Sequence, residues 1–306
     1  MTTRSRRALV GALVAVALAA AVRAQAQDLE PRTYANAPVG LNFLLIGYGY
    51  STGDVSVDES SPIKDAQLTI HATALAYART LGLWGRAAKL DVVLPYAWLS
   101  GTATVAGQPA ARDVSGLGDP RLRFSVLLHG APALSLEEFA DYKQDFIVGL
   151  SLAVTAPLGQ YDSSKLVNIG THRWSVRPEI GISKTFGPWT FELAPSVTFY
   201  TTNHDFFGGQ TLERDPLFSA QGHVVYHTRI GIWAALDATY YTGGNTTIDG
   251  ERGQRLENVR VGGTLAIPVN RHNSVKLYGS VGAMARLGGN FTTVGIAWQF
   301  RWGGGL

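Results

Sequence analysis

The 306-residue sequence contains no cysteine, which removes disulfide scaffolds and thiolate metal sites from consideration. Charge is sparse too, with Asp, Glu, Lys and Arg together at 16%. Beyond the first two dozen residues no run approaches 18 consecutive apolar positions, so no helical membrane span is expected there. The one long apolar stretch is ALVGALVAVALAAAV, residues 8–22, preceded by Arg4, Arg6 and Arg7 and followed by Arg23 and Ala24-Gln25-Ala26. It falls short of the roughly 20 residues that cross a bilayer as a helix. A basic start, an apolar middle and a small-residue cleavage site are the order of a secretory signal peptide, and residues 1–26 are read as one that is removed. Ser5-Arg6-Arg7 faintly resembles a twin-arginine signal, but Sec export is expected for a chain that must enter a membrane unfolded.

Loss of that leader takes four arginines and no acid, leaving 22 basic against 23 acidic groups, a net charge of −1. The basic pI of about 9.1 therefore belongs to the leader and argues for no nucleic-acid partner.

What remains is rich in aromatics (Trp 7, Tyr 12, Phe 12) and in glycine (35). Twelve segments alternate bulky apolar with small or polar residues, at 40–50, 66–78, 88–100, 120–130, 145–157, 173–186, 189–202, 216–228, 230–242, 257–269, 273–287 and 291–302. Period-two alternation marks strands with one greasy face. Connections after the odd-numbered segments are mostly long and polar, and those after the even-numbered ones mostly short. One longer even connection, GAPALSLEEFADYKQ (130–144), reads as a short helix capped by Ser135. An even strand count with short turns at one end and long loops at the other predicts an all-β fold. Its form is a closed antiparallel up-and-down transmembrane β-barrel of about twelve strands, with periplasmic turns and extracellular loops. Strands of 9–13 residues suit a tilted crossing. Bilayer hydrocarbon cannot satisfy an open sheet edge, so the sheet must close. A soluble sandwich also alternates. The aromatics near strand ends, including Tyr48/Tyr50, Tyr96/Trp98, Trp174, Trp189, Phe199/Tyr200, Tyr240/Tyr241, Trp298 and Trp302, favour interfacial girdles instead. The expected organisation is a leader at 1–26, a periplasmic segment at 27–38, the barrel at 39–302 and an extension at 303–306. Segment 28–38, DLEPRTYANAP, reads either as a plug or as a mobile tail.

The same segments carry a family resemblance. APVGLNFLLIGYGYSTGD, SGLGDPRLRFSV, GAPALSLEEFADY, TAPLGQYDSSKLVNIGTHRWSVRPEIGISK, DPLFSAQGHVVY and AWQFRW resemble outer-membrane proteins described as transporters of the MetA pathway of phenol degradation. The resemblance implies a barrel of a Gram-negative outer membrane that takes up aromatic or other hydrophobic compounds, and brings no catalytic set with it.

Alternation sorts the charges. Lys89, Asp91, Arg121, Arg123, Arg177, Glu179, Glu192, Asp237, Arg260 and Lys276 fall on the face opposite the greasy one, toward the lumen. They suit either an ion-pair ladder that fills the barrel or a constriction that lines a pore, and the sequence leaves both open. In the loops Tyr161, His172, Phe206 and Phe207 are candidates for catching an aromatic molecule at the mouth, against ordinary loop packing. His223 and His227 sit four apart, about 13 Å on a strand, too far to share an ion. His71, His172 and His204 form no ligand pattern, so no metal and no cofactor is expected. Ser125, Ser151, Ser196 and Ser280 share the lumen face with His223 and Asp237, a hydrolase constellation only if they meet at one point. GYGYSTG opens no helix and is no phosphate loop. No catalytic residue is assigned. The terminal row Trp298, Phe300 and Trp302 resembles the C-terminal signal read by barrel-assembly machinery, with GGGL running past it. Expected partners are outer-membrane lipid, that machinery, and small hydrophobic or aromatic solutes. The function expected is passive uptake. A structural or adhesive barrel with a charge-filled lumen is the alternative, and an outer-membrane hydrolase a remoter one.

Overall fold

The computed structural model describes residues 30–56, 63–105, 108–285 and 288–306. The expected leader, 1–26, and the first residues of the following segment lie outside the described residues.

Among the described residues seventeen strands are present. The first eight are β1 (Leu41–Ser56), β2 (Ile63–Leu83), β3 (Arg86–Val105), β4 (Gln108–Leu117), β5 (Arg121–His129), β6 (Phe146–Thr155), β7 (Ser175–Phe186) and β8 (Trp189–Tyr200). They are followed by β9 (Asn203–Phe206), β10 (Gln210–Arg214), β11 (Leu217–His227), β12 (Trp233–Gly243), β13 (Thr246–Ile248), β14 (Glu251–Arg252), β15 (Leu256–Pro268), β16 (Asn273–Ala285) and β17 (Gly288–Gly303). The main sheet runs β2-β1-β17-β16-β15-β12-β11-β8-β7-β6-β5-β3-β4, and the additional β2–β3 pairing closes it into a barrel. β5 pairs with the lower part of β3 (Ala88↔Val126 to Val93↔Arg121) and β4 with the upper part (Tyr96↔Leu117 to Val105↔Gln108), so the two together make one wall position. The barrel is therefore twelve-stranded and antiparallel, as expected. Closure joins the first strand to the last, from Leu41↔Gly303 to Ser56↔Gly288.

Several strands outrun the expected 9–13 residues: β1 and β17 have 16, β2 has 21 and β3 has 20. The stretch 101–119, expected as a polar loop, instead continues β3 and returns as β4. Above the bilayer both faces of a hairpin meet water, so the apolar alternation that marks a strand fades while the ladder persists. The loops at 203–215 and 244–256 likewise hold β9, β10, β13 and β14, a four-stranded sheet ordered β14-β13-β10-β9 over the mouth. Its small core is Phe206, Leu212 and Ile248.

At the other end the connections are tight. Trp84 and Gly85, with φ of 50° and 71°, make a two-residue hairpin whose twist matches its strands. The single α-helix among the described residues, α1 (Leu136–Phe139), has the expected Ser135 cap, which the structure completes as a capping box. Ser135 Oγ accepts from Glu138 N, while the Glu138 carboxylate accepts from Ser135 N at 2.8 Å.

The surface is inverted relative to a water-soluble protein. Leu94, Ile180, Leu193, Phe199 and Ile296 are exposed, while Asp91, Arg123, Glu179 and Asp237 are buried inside. Such a continuous apolar band is stable only against lipid. Of the expected girdle, Tyr48, Trp98, Trp174, Trp189, Phe199, Tyr240, Trp298 and Trp302 are exposed, but Tyr241 is 6% exposed and faces inward. Neighbouring residues on a strand point to opposite faces, so Tyr240 and Tyr241 cannot both meet lipid. Tyr200 is held between the Arg173 and Arg214 guanidinium groups, 4.9 and 4.8 Å from its ring.

Candidate functional site in the lumen

Residues 30–38 enter the barrel from the short-turn end. A turn forms at its tip, where Ala35 N donates to Arg32 O at 3.2 Å and Thr33 Oγ1 donates to Glu30 O at 2.8 Å. Its base is tied to the barrel rim. Val39 N donates to Leu134 O at 2.8 Å, Asn36 Nδ2 donates to Pro132 O at 3.2 Å, and Thr80 Oγ1 donates to Pro38 O at 2.6 Å.

Tyr34 anchors one side. Its hydroxyl donates to Glu179 Oε1 at 2.9 Å and lies 3.1 Å from Ser151 Oγ. Glu179 and Ser151 are cross-strand partners on β7 and β6, and two residues along the same ladder Gly149 pairs with Gly181. The tyrosine ring lies flat over that glycine pair: a Cβ at Gly149 would come within 2.6 Å of Tyr34 Cδ1, and one at Gly181 would enter the ring. Glycine inside a strand marks the close approach of another group, and here that group is the ring. Burial and the Glu179 carboxylate both raise the Tyr34 hydroxyl's pKa, so it stays a donor.

Glu30 anchors the other side. Its carboxylate bridges Arg121, at 2.7 Å, and Arg123. Arg123 Nε also donates to Asp91 Oδ1 at 3.0 Å, and Lys89 stands 4.0 Å from the same oxygen. Burial pushes the Glu30 carboxyl up, but Arg123, Arg177 and Lys89 outweigh it and hold it down at about 2. Between the two anchors, Arg32 N donates to Glu192 Oε2 at 2.6 Å, and the Arg32 guanidinium lies 5.3 Å from the Trp233 ring centre. Burial lowers the pKa of that guanidinium, with Glu192 opposing.

Space remains on either side of this segment. A cavity of about 630 Å³ opens toward the short-turn end, among Lys89, Asp91, Arg123, Trp233 and Arg301. A second, of about 480 Å³, lies toward the loops, walled by Leu45, Ile70, Leu99, Ile169, Phe206 and Leu212. Glu30, Arg121 and Lys276 border both, so they mark where one chamber meets the other. Tyr278 lines the upper chamber and lies over Gly295 and Gly49, where a Cβ at Gly49 would come within 3.0 Å of its hydroxyl.

The ten charges read from alternation are all in or beside the lumen. Asp91, Arg123, Glu179, Glu192, Asp237 and Arg260 are buried, and Lys89, Arg121, Arg177 and Lys276 line cavities. Arg260 Nη2 donates to Ser280 Oγ at 2.8 Å, away from the Glu30 cluster. The four mouth candidates separate. Tyr161 and His172 stack with ring centres 4.5 Å apart, and Asn203 bonds both, at 2.9 and 3.1 Å. Tyr161 and Phe206 line the upper chamber, while Phe207 packs on the outside of the Phe206 cluster.

A family model described as "Putative MetA-pathway of phenol degradation" matches residues 49–295. The chain belongs to that family. Among solved structures it is similar to the COG4313 outer membrane channel from Pseudomonas putida F1, at 22% identity and a TM-score of 0.77, covering 90% of this chain and 100% of that one. It is also similar to the transport unit of the autotransporter AIDA-I from Escherichia coli, at 9% identity and a TM-score of 0.50, covering 95% and 98%. These likenesses carry the fold. No curated protein matches the sequence.

In this member of the phenol-degradation family no hydrogen bond joins His223 to any of the four candidate serines among the described residues. His223 Nδ1 and Asp237 Oδ1 do meet, at 2.6 Å. Three of the four candidate serines are engaged elsewhere: Ser151 with Tyr34, Ser196 with Ser219 at 2.7 Å, and Ser280 with Arg260. Glu30, Arg32 and Tyr34 escaped the sequence reading as site residues. The one signal that could have found them is the glycine pair at 149 and 181, set among inward polar positions where no turn explains it.

Proposed function

We propose that this protein is an outer-membrane channel for passive uptake of small hydrophobic or aromatic compounds. The observation that carries the reading is the upper chamber, an apolar space of about 480 Å³ at the loop end that meets a charged belt in mid-lumen. Ligand sites of that kind span roughly 300–1,000 Å³ and are mostly apolar with a few placed polar groups. Solute collects among Leu45, Ile169 and Phe206, then passes the Glu30–Arg121–Lys276 level into the lower chamber. Export through a cleaved leader, and assembly by the barrel machinery, belong to the same proposal. The test is planar-bilayer conductance of the folded protein together with phenol uptake into liposomes. Open-channel events with uptake above empty liposomes support it.

A second reading is favoured by the segment 30–38 itself, which fills the barrel centre with paired charge. In that reading the protein is a sealed structural or adhesive barrel, and the same measurement gives neither conductance nor uptake.

A further inference from the structure

The upper chamber has greasy walls and a cationic floor. Its lining includes four cations, Arg121, Arg173, Arg177 and Lys276, against two carboxylates, Glu30 and Asp119. Asp119 is fully used by the mouth loop, accepting from Gly159 N at 2.9 Å and from Thr171 N and Oγ1 at 2.8 and 2.7 Å. Of these two lining carboxylates Glu30 is thus the one that meets the floor, and it comes from the inserted segment, not from the barrel wall. It bridges Arg121 and Arg123, with Arg177, Lys89 and Lys276 completing its cationic surroundings. Lys276 makes no ion pair among the described residues, and its ammonium lies 5.7 Å from the Trp233 ring centre. Cations drawn this far from bulk water gain from an added carboxylate, because the desolvation cost has already been met in folding.

We propose that the Arg121–Arg123–Lys276 level is a seat for the carboxylate of an amphipathic anion, an aromatic carboxylate whose ring rests in the upper chamber, and that Glu30 stands in that seat when no solute is bound. The geometry favours a carboxylate, because two guanidinium groups converge on one acceptor pair. The Glu30 side chain keeps 25% of its surface open to lumen space, so an arriving carboxylate can reach the arginines as Glu30 leaves. This substrate class rests on the channel reading only for how the solute arrives. Seat and channel can fail separately.

The experiment is calorimetric titration of the detergent-folded full mature chain with benzoate and with benzamide, its uncharged isostere. Benzoate is expected to bind about tenfold or more tighter, the scale of one charge-assisted hydrogen bond. Lys276→Met should weaken the preference and Lys276→Arg restore it, with heat-modifiable migration confirming that each variant is folded. Glu30→Gln removes the resident competitor and should tighten benzoate binding by about tenfold, again one charge-assisted hydrogen bond. Equal binding of the two probes, binding of neither, or a Glu30→Gln variant with weakened benzoate binding overturns the seat. Bilayer conductance on the same sample separates the two claims. A silent barrel that prefers benzoate keeps the seat and loses the channel, and a conducting barrel without the preference does the reverse.

Discussion

Tyr34 lies on Gly181. The ring occupies the space that any side chain on that residue would need, and its hydroxyl reaches Glu179 two positions along the same strand. A glycine in the wall and a tyrosine more than a hundred residues earlier therefore form one joint, which holds segment 30–38 inside the barrel.

Gly181→Val should break that joint. Overpacking of this kind costs about 1–3 kcal/mol, and here the segment can leave to relieve it, so the wall itself is expected to survive. The outcome is faster trypsin cleavage after Arg32 with unchanged heat-modifiable migration. Unchanged cleavage would mean that the ring has another place to sit.

Tyr34→Phe is the milder probe. It keeps the ring on its glycine floor and removes only the hydroxyl that bonds Glu179 and Ser151. Leaving the buried Glu179 carboxylate one donor short costs about 1–3 kcal/mol. Hydrogen exchange of amides 32–36 should accelerate to match, while exchange in β6 and β7 stays slow.

Acid should loosen the other anchor. Glu30 is held at about 2, below its ordinary 4.5, by Arg123, Arg177 and Lys89 against the opposing effect of burial. A group depressed in the docked state stabilises that state above its free value. The Glu30 contribution is thus complete above about 4.5, declines as pH falls, and is gone below about 2. Conductance of the wild-type barrel should rise between pH 5 and pH 2.5, and Glu30→Gln should be high and flat over that window. A wild-type conductance independent of pH would show that Glu30 does not hold the passage closed.

The wall was legible in the sequence because lipid imposes a strict rule. Val176, Ile180 and Phe199 meet hydrocarbon while Arg177, Glu179 and Thr198 face inward, and period two records that split directly. Ser135 announced the only described α-helix by a local cap. The mouth sheet was not legible, because Phe206, Leu212 and Ile248 meet only after the barrel has brought two separate loops together. The inserted segment was harder still. DLEPRTYANAP has no period, and Tyr34 and Arg32 find their partners 117 to 160 residues away. Alternation sorted the charges by face but could not say that Glu30 would arrive from elsewhere to gather Arg121 and Arg123.

The closing strand carries the last expectation. Phe300 pairs with Leu44 on one side and Asn273 on the other, and Arg301 N donates to His272 O at 2.8 Å. Trp298, Phe300 and Trp302 stack along the outer face at 6.1 and 5.5 Å, and Trp302 reaches Tyr77 on β2 at 6.2 Å. Deleting Phe300–Leu306 strips the start of β1 of its partner where the seam must shut, and each orphaned backbone group in a bilayer costs several kcal/mol. Deleting only residues 303–306 removes one register pair, Leu41↔Gly303, together with a peripheral 3.4 Å bond from Arg271 to Gly305 O. The longer deletion should therefore abolish the heat-modifiable band in membranes, and the shorter one should leave it in place. If the shorter deletion also abolishes the band, assembly depends on the glycines beyond the aromatic row.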